Sequence, residues 1–254
     1  MMRWSSLVVA SMVLFGCKES GPAPADTAPP LAMATTASAA ASTTPAASAA
    51  STAAATPTAP PTSWSFDADR ANAPPAGFSF GRTGGGNEGR WADIAAPDAP
   101  SGPNVLAQLD ADPTDSRFPV AVVDASSFKD VQLSVSCKPI SGRVDQGCGL
   151  VWRYRDANNY YLTRANALED NVRFYYVKGG QRNQLASWSG KVASSVWHKL
   201  RVQARGDHVE VYFDEKKVID ATDSTFRDAG KVGVWTKADS VIQFDELEAT
   251  APSP

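Results

Sequence analysis

Arginine and tyrosine side chains crowd around one short turn, in the segment RYRDANNYYLTRAN of residues 153–166. Aromatic rings can pack against the C–H face of a sugar, and arginine can donate hydrogen bonds to sugar hydroxyl groups. The same side chains can instead form cation–π contacts on an ordinary solvent-exposed sheet. Which interpretation holds depends on which of them share one face of a strand.

Two apolar sets flank the loop that precedes this segment. Cys137 ends the first set and Cys148 begins the second, with ten residues between them. Apolar residues alternate with polar ones along each strand, and the two apolar sets are Val131, Leu133, Val135 and Cys137, then Cys148, Leu150, Trp152 and Tyr154. A disulfide between the two cysteines would join the sets on the same side of one sheet. The cysteine-bearing face is therefore predicted to be the core.

The opposite face is predicted to carry the chemistry. Alternation places Arg153 on it, and it also places Tyr161, Arg173 and Tyr175 there if Leu162 and Phe174 point inward. With Val232 and Val234 inward, Trp235 and Lys237 face outward too. The predicted ligand-binding set is Arg153, Tyr161, Arg173, Tyr175, Trp235 and Lys237. In the alternative register, Tyr161, Tyr175 and Val177 form a dry face instead.

A third amphipathic strand is predicted at residues 197–205. Leu200, Val202 and Ala204 point inward there. The outward side chains are then Trp197, Lys199, Arg201, Gln203 and Arg205.

Period-2 alternation recurs throughout the second part of the chain, and helical spacing is hard to find. Further strands are predicted near 64–68, 77–81, 104–109, 119–123, 160–165, 172–178, 208–214, 231–237 and 241–249. Turn residues such as Gly179-Gly180 and Gly206-Asp207 separate them. Short strands at this spacing predict an all-β, two-sheet antiparallel jelly-roll sandwich.

The first part of the chain has a different character. Residues 1–17 read as an export signal that ends in Leu14-Phe15-Gly16-Cys17, which resembles the lipobox of bacterial lipoproteins, with Cys17 as the lipidated residue. Residues 18–62 are rich in Ala, Thr, Pro and Ser and are predicted to be a disordered linker. One folded domain is expected over 63–250, followed by a tail at 251–254. These features predict an exported protein of the bacterial cell envelope, anchored to a membrane by lipid.

Composition limits the partners and cofactors. The formal net charge of −3 argues against a nucleic-acid partner, which favours a strongly basic domain. Neither His198 nor His208 has a nearby His or Cys at metal-ligand spacing, so no metal site and no cofactor are predicted, and a monomer is expected. A structural calcium ion stays open, with Asp110, Asp112 and Asp115 as the densest acidic cluster.

Signals for an enzyme are few. The Glu-x-Asp-x-x-Glu pattern of laminarinase-type glycosidases is absent, since Asp245-Glu246-Leu247-Glu248 does not reproduce it. Hydrolysis with retention needs two carboxyl groups about 5 Å apart. The candidate catalytic carboxylates are Asp239 and Glu169 from separate strands. Asp156 with Glu169 is the alternative pair, although a role in the turn is favoured for Asp156.

Three stretches carry a family resemblance: GLVWRYRDANNYYLTRANALEDNVRFYYVKGG from Gly149, WHKLRV from Trp197, and AGKVGVWTKADSVIQFDELE toward the end. Together they resemble concanavalin A-like, laminin-G-like sandwiches and the DUF1080 (3-keto-disaccharide hydrolase-like) group. The resemblance covers about 64–249 and implies a jelly roll whose relatives bind or cleave carbohydrates. We therefore expect a lectin-like module that binds a glycan on a concave sheet. The alternative is a glycoside or 3-keto-glycoside hydrolase that uses a carboxylate in the same cleft.

Overall fold

The computed structural model describes residues 62–252, and these form strands and loops with no helix. Alternating apolar residues and Gly, Asn and Asp turns account for this outcome. The strands are β1 (Thr62–Trp64), β2 (Phe78–Gly84), β3 (Trp91–Ala95), β4 (Asn104–Gln108), β5 (Arg117–Val123), β6 (Val131–Ser141), β7 (Gly147–Asp156), β8 (Asn159–Asn166), β9 (Asn171–Lys178), β10 (Gln181–Ser189), β11 (His198–Arg205), β12 (His208–Phe213), β13 (Lys216–Thr222), β14 (Lys231–Thr236) and β15 (Val241–Thr250).

Two antiparallel sheets form a sandwich, which confirms the predicted fold class. The first sheet has the order β13-β12-β11-β6-β15-β4-β3, with β1 also paired to β15. The second sheet has the order β10-β9-β8-β7-β14-β5-β2. Strands β3, β10 and β13 were not predicted from the sequence.

The main core lies between the sheets. Leu133, Val135 and Leu200 of the first sheet are fully buried with Leu150 and Trp152 of the second. In β11 the predicted alternation is confirmed, because Leu200, Val202 and Ala204 are buried while the residues between them are partly exposed.

The disulfide Cys137–Cys148 is present, but one expectation about it is wrong. Cys137 belongs to β6 of the first sheet and Cys148 to β7 of the second. The bond therefore crosses the core between two sheets rather than joining neighbouring strands of one sheet. Two strands that face each other across a core show the same apolar alternation as two neighbouring strands of one sheet. The sequence pattern therefore could not distinguish the two arrangements.

The second sheet is strongly curved. Strands β2 and β8 are four strand spacings apart, which is about 19 Å in a flat sheet. Nevertheless the Thr83 hydroxyl of β2 lies 2.7 Å from the Tyr160 hydroxyl of β8. Thr83 also donates a hydrogen bond to the carbonyl of Ala157. These contacts can form only across a concave face.

The signal segment, Cys17 and nearly all of the 18–62 linker lie outside the described residues. Within 62–252 no helix is present that is long and apolar enough to cross a membrane.

Candidate functional site

Tyr161 does not lie on the concave face, and its prediction as a ligand-binding residue is wrong. It pairs directly with Trp152 across β7 and β8, so both rings point into the core between the sheets, where they stack with centroids 5.4 Å apart. Leu162 points the other way, opposite Val151 and Tyr175. The error arose because Leu162 was taken as inward.

Arg153 is also absent from the concave face. The β7–β8 register shifts between Trp152 and Asp156, and Arg153 adopts a positive φ of 46° there. Its side chain is 1% exposed and donates hydrogen bonds to the carbonyls of Lys129, Phe226 and Gly206 at 2.6–2.7 Å. A bulge breaks simple alternation, so Arg153 ties loops together and is not available to a ligand. Tyr154 leaves the inward set for the same reason and stacks on Tyr160.

The concave face holds a second apolar cluster instead of an open aromatic platform. Trp235 and Tyr175 lie on this face, but their exposed fractions are 0% and 3%. Phe118 stacks on Trp235 with ring centroids 5.5 Å apart. The side chain of Arg182, from edge strand β10, extends over the concave face. Its guanidinium lies 4.6 Å from the Phe118 ring and 4.8 Å from the Tyr175 ring. These ring faces are therefore covered by other side chains.

Charged side chains gather beside this apolar cluster. We call them the basic cluster, defined as Arg164, Arg173, Arg182 and Lys237 with the carboxylates of Asp145 and Glu169. Arg164 is 2% exposed and donates to Glu169 Oε2 at 2.9 Å and to the Tyr175 hydroxyl at 3.3 Å. It also donates to Asn171 Oδ1. Arg173, one third exposed, reaches the same Glu169 oxygen at 3.2 Å.

Lys237 links the loops at the edge of the cluster. Its Nζ lies 2.6 Å from Asp115 Oδ1 and 3.1 Å from Asp145 Oδ2. Burial acts to lower the pKa of Lys237, but the two carboxylates outweigh it and raise the pKa. Burial raises the pKa of Asp145, against the opposing charges of Lys237 and Arg164. Lys237 is therefore held as a cation between the exposed carboxylate of Asp115 and the buried carboxylate of Asp145.

Gly147 explains how these groups come together at the start of β7. A Cβ at this position would lie 2.7 Å from Asp145 Oδ1 and 3.5 Å from the Trp235 ring. Arg164 Cδ would be 3.8 Å away. The missing side chain leaves the space in which these three side chains converge.

The candidate catalytic carboxylates are both engaged by the protein. Asp239 accepts hydrogen bonds from the backbone amides of Arg143, Val144 and Asp145 at 2.6–3.0 Å. Burial acts to raise the pKa of Asp239, but these amides hold it below its usual value. For Glu169, burial is likewise outweighed, by Asn171 and Arg164, so its pKa is lowered. Both groups are suited to remain ionised and to accept hydrogen bonds, and neither is suited to act as a general acid.

The acidic cluster considered for calcium does not converge on one point. Asp112 accepts hydrogen bonds from Asn87 and Thr114, Asp110 pairs with Arg117, and Asp115 pairs with Lys237. Asp156 accepts hydrogen bonds from Asn158 and Asn159 within its own turn. These carboxylates therefore stabilise their own loops through hydrogen bonds and ion pairs.

Within residues 62–252, one group that could hold a metal ion lies on β12 and the edge strand β13 of the first sheet. It consists of His208, Glu210 and Asp220. The ammonium of Lys217 already lies 2.8 Å from both carboxylates.

Sequence reasoning missed Arg164, Asp145 and Arg182. Arg164 lies two residues after Leu162, so it would have joined the concave face had Leu162 been taken as outward. Asp145 belongs to a loop and Arg182 to an unpredicted edge strand. No periodic signal marks these last two residues.

No family model matches the chain, so the resemblance to DUF1080 stays a prediction. A levanase of Bacillus subtilis (strain 168) is 34% identical over 83 residues, which is 32% of this chain and 12% of the levanase. The chain thus spans about an eighth of the length of that relative.

Solved structures with a similar fold include the carbohydrate-binding module CBM66 from Bacillus subtilis. It has a TM-score of 0.53 and 23% identity, covering 67% of this chain and 94% of the module. The carbohydrate recognition domain of Emp47p has a TM-score of 0.51 and 13% identity, covering 74% and 94%. A Bacillus subtilis protein of unknown function with a galectin-like fold scores 0.50 at 13% identity, covering 69% and 90%. These similarities show a concanavalin A-like or galectin-like jelly-roll fold.

Proposed function

We propose that this protein binds carbohydrate and that the basic cluster on the concave face is its ligand site. One observation carries the proposal: four cationic and two anionic side chains converge at one end of the concave face, and three of them, Arg164, Lys237 and Asp145, are buried. Desolvating charges costs free energy that well-packed apolar residues would not require. Such clusters are common at functional sites, where charged donors and acceptors recognise a polar ligand.

The cluster offers both kinds of hydrogen-bonding group that sugar hydroxyls need. Arg173 and Lys237 donate, and Glu169 accepts. Glu169 is 36% exposed and Arg173 33% exposed, so both are within reach of a ligand. The rings of Trp235 and Tyr175 pack against the arginines of the cluster. Because other side chains already cover their faces, these rings do not stack on the sugar.

A groove of about 720 Å³ adjoins the cluster and gives room for a ligand of more than one sugar. Its lining includes Pro113, Val144 and Asp239. Pro113 and Val144 are close in sequence to Asp115 and Asp145, the carboxylates that hold Lys237. Asp239 of the groove accepts a hydrogen bond from the amide of Asp145, so the groove borders the loops that hold Lys237.

The named relatives support the same function. Two of the similar solved structures are a carbohydrate-binding module and a carbohydrate recognition domain, and the aligned curated protein is a levanase. We also propose that the export signal and a lipid on Cys17 hold the domain at the bacterial envelope, with residues 18–62 as a spacer. Replacing Cys17 by Ser should then release the protein from the membrane fraction.

Glycan-array screening followed by calorimetry tests the function. We expect the wild type to bind a glycan and Arg173→Ala to weaken that binding at least tenfold. Arg201→Ala is the matched control, because Arg201 lies over Tyr212 at 3.7 Å on the first sheet and should leave the affinity unchanged.

Binding to no glycan, or equal losses in the two variants, would contradict the proposal. Release of shorter sugars that stops in Glu169→Gln would favour the hydrolase instead.

A further inference from the structure

The basic cluster contains more positive than negative charge. Glu169 forms ion pairs with both Arg164 and Arg173, and Lys237 forms ion pairs with both Asp145 and Asp115. Counting Asp115, four cations face three carboxylates. The whole chain has the opposite balance, with a formal net charge of −3. The local excess of positive charge is therefore a property of this site.

Arg182 is the source of the excess. It forms no ion pair within residues 62–252, and its guanidinium lies against the rings of Phe118, Tyr175 and Trp235. Arg164 lies 5.9 Å from the centre of the same Tyr175 ring. Arg182 is half-buried and belongs to an edge strand, so its guanidinium can reach a ligand in front of Tyr175.

The hydrogen bonds of the cluster show the same imbalance. Arg164 Nε, Arg173 Nε and Arg182 Nη1 are buried N–H groups with no acceptor in the described part of the chain. Guanidinium nitrogens can only donate, so the groups that remain unsatisfied are mostly donors. Within the basic cluster, the buried acceptor that lacks a hydrogen bond is Asp145 Oδ2, and it already lies 3.1 Å from the ammonium of Lys237. A complementary ligand therefore supplies acceptors and negative charge.

We propose that the basic cluster selects a negatively charged sugar residue, one that carries a carboxylate or a sulfate group, and that Arg182 provides the unpaired charge that binds it. This rests on the proposed function of the same site. A hydroxyl group brings a donor along with its acceptor, whereas a carboxylate or sulfate brings only acceptors. Guanidinium groups also match the planar geometry of a carboxylate in bidentate hydrogen bonds.

The test compares ligands that differ only in charge. Oligogalacturonate and its methyl ester share one backbone, and a sulfated dextran with plain dextran supplies a second pair. Calorimetry with the wild type should give at least tenfold tighter binding for one of the charged members than for its neutral partner. The pair that shows this preference identifies the anionic group.

Arg182→Gln should reduce that preference to less than about threefold. Arg201→Gln controls for general attraction of anions, because it removes the same charge from over a ring on the first sheet. The control should keep the preference.

Two results would overturn the proposal: equal binding of charged and neutral partners, or equal losses in the two variants. If neutral glycans alone bind, the charge preference fails while carbohydrate binding stands. If no glycan binds, the proposed function itself fails.

Discussion

Leu162 and Tyr175 lie directly opposite each other on neighbouring strands and both point to the concave face, so Tyr161 points away from it into the core between the sheets. The two tyrosines therefore have different roles. Tyr161 belongs to the folding core, and Tyr175 supports the basic cluster.

Removing the hydroxyl groups of these tyrosines should separate stability from binding. The Tyr161 hydroxyl donates to Asp223 Oδ1 at 2.5 Å and accepts from the amide of Phe226 at 3.1 Å. Tyr161→Phe should lower the free energy of unfolding by about 1 kcal/mol and leave glycan affinity unchanged. Tyr175→Phe removes a contact of Arg164 and should weaken glycan binding. Urea titration and calorimetry measure the two effects, and a binding loss confined to Tyr161→Phe would refute the assignment.

Arg153 should act on stability alone. Arg153→Met leaves the carbonyls of Lys129, Phe226 and Gly206 without their buried donor. We expect the free energy of unfolding to fall by about 3 kcal/mol, measured by urea denaturation. Arg155→Met is the control, because Arg155 forms an exposed ion pair with Asp228 and should lose less than about 1 kcal/mol. If Arg153→Met lost no more unfolding free energy than Arg155→Met, the contacts of Arg153 would not be important for stability.

The disulfide should stabilise the sandwich by closing the loop between the two sheets. Cys137 and Cys148 are 11 positions apart. Replacing both by Ala should lower the free energy of unfolding by about 3 kcal/mol in the loop-entropy description. Chemical denaturation with and without reductant measures this difference. A wild type insensitive to complete reduction would contradict it.

Asp93 should make stability decrease with rising pH. Its carboxylate is fully buried without a hydrogen-bond partner among the described residues, and burial, with the charge of Asp69, raises its pKa to about 7. Its usual pKa is 3.8, so the folded state binds the proton more tightly than the unfolded state does. Stability from this group is therefore present at pH 4 and is lost as the pH rises to 7.

Asp93→Asn removes the titrating group and keeps the shape. We expect the variant to exceed the wild type in unfolding free energy by about 2 kcal/mol at pH 8, with a smaller difference at pH 4. Urea denaturation at both pH values measures this. A constant difference between the two proteins across this range would show that Asp93 does not titrate there.

The fold could be predicted from the sequence because alternation is a local property. Most strands have one dry face, and Phe174 and Val234 correctly placed Arg173, Tyr175 and Trp235 on the opposite side of the second sheet. Strand β10 was missed because an edge strand with the sequence QRNQLASWS has little of this pattern.

The site was harder to predict because it depends on register and curvature. A bulge after Trp152 breaks the alternation in β7, so Arg153 does not point to the concave face. In β8, Leu162 was taken as inward, which wrongly placed Tyr161 on the concave face and Arg164 in the core. The curvature that brings Arg182 of β10 to Phe118 of β5 is a property of the whole sheet. A pattern in a single strand cannot reveal it.

The most direct test of the central claim is to locate the bound glycan by NMR, with a titration of the isotope-labelled protein. Our account predicts that the largest shift changes fall on Arg164, Arg173, Tyr175, Arg182 and Lys237. Changes centred instead on Arg201 and Tyr212 of the first sheet, or none at saturating glycan, would contradict it.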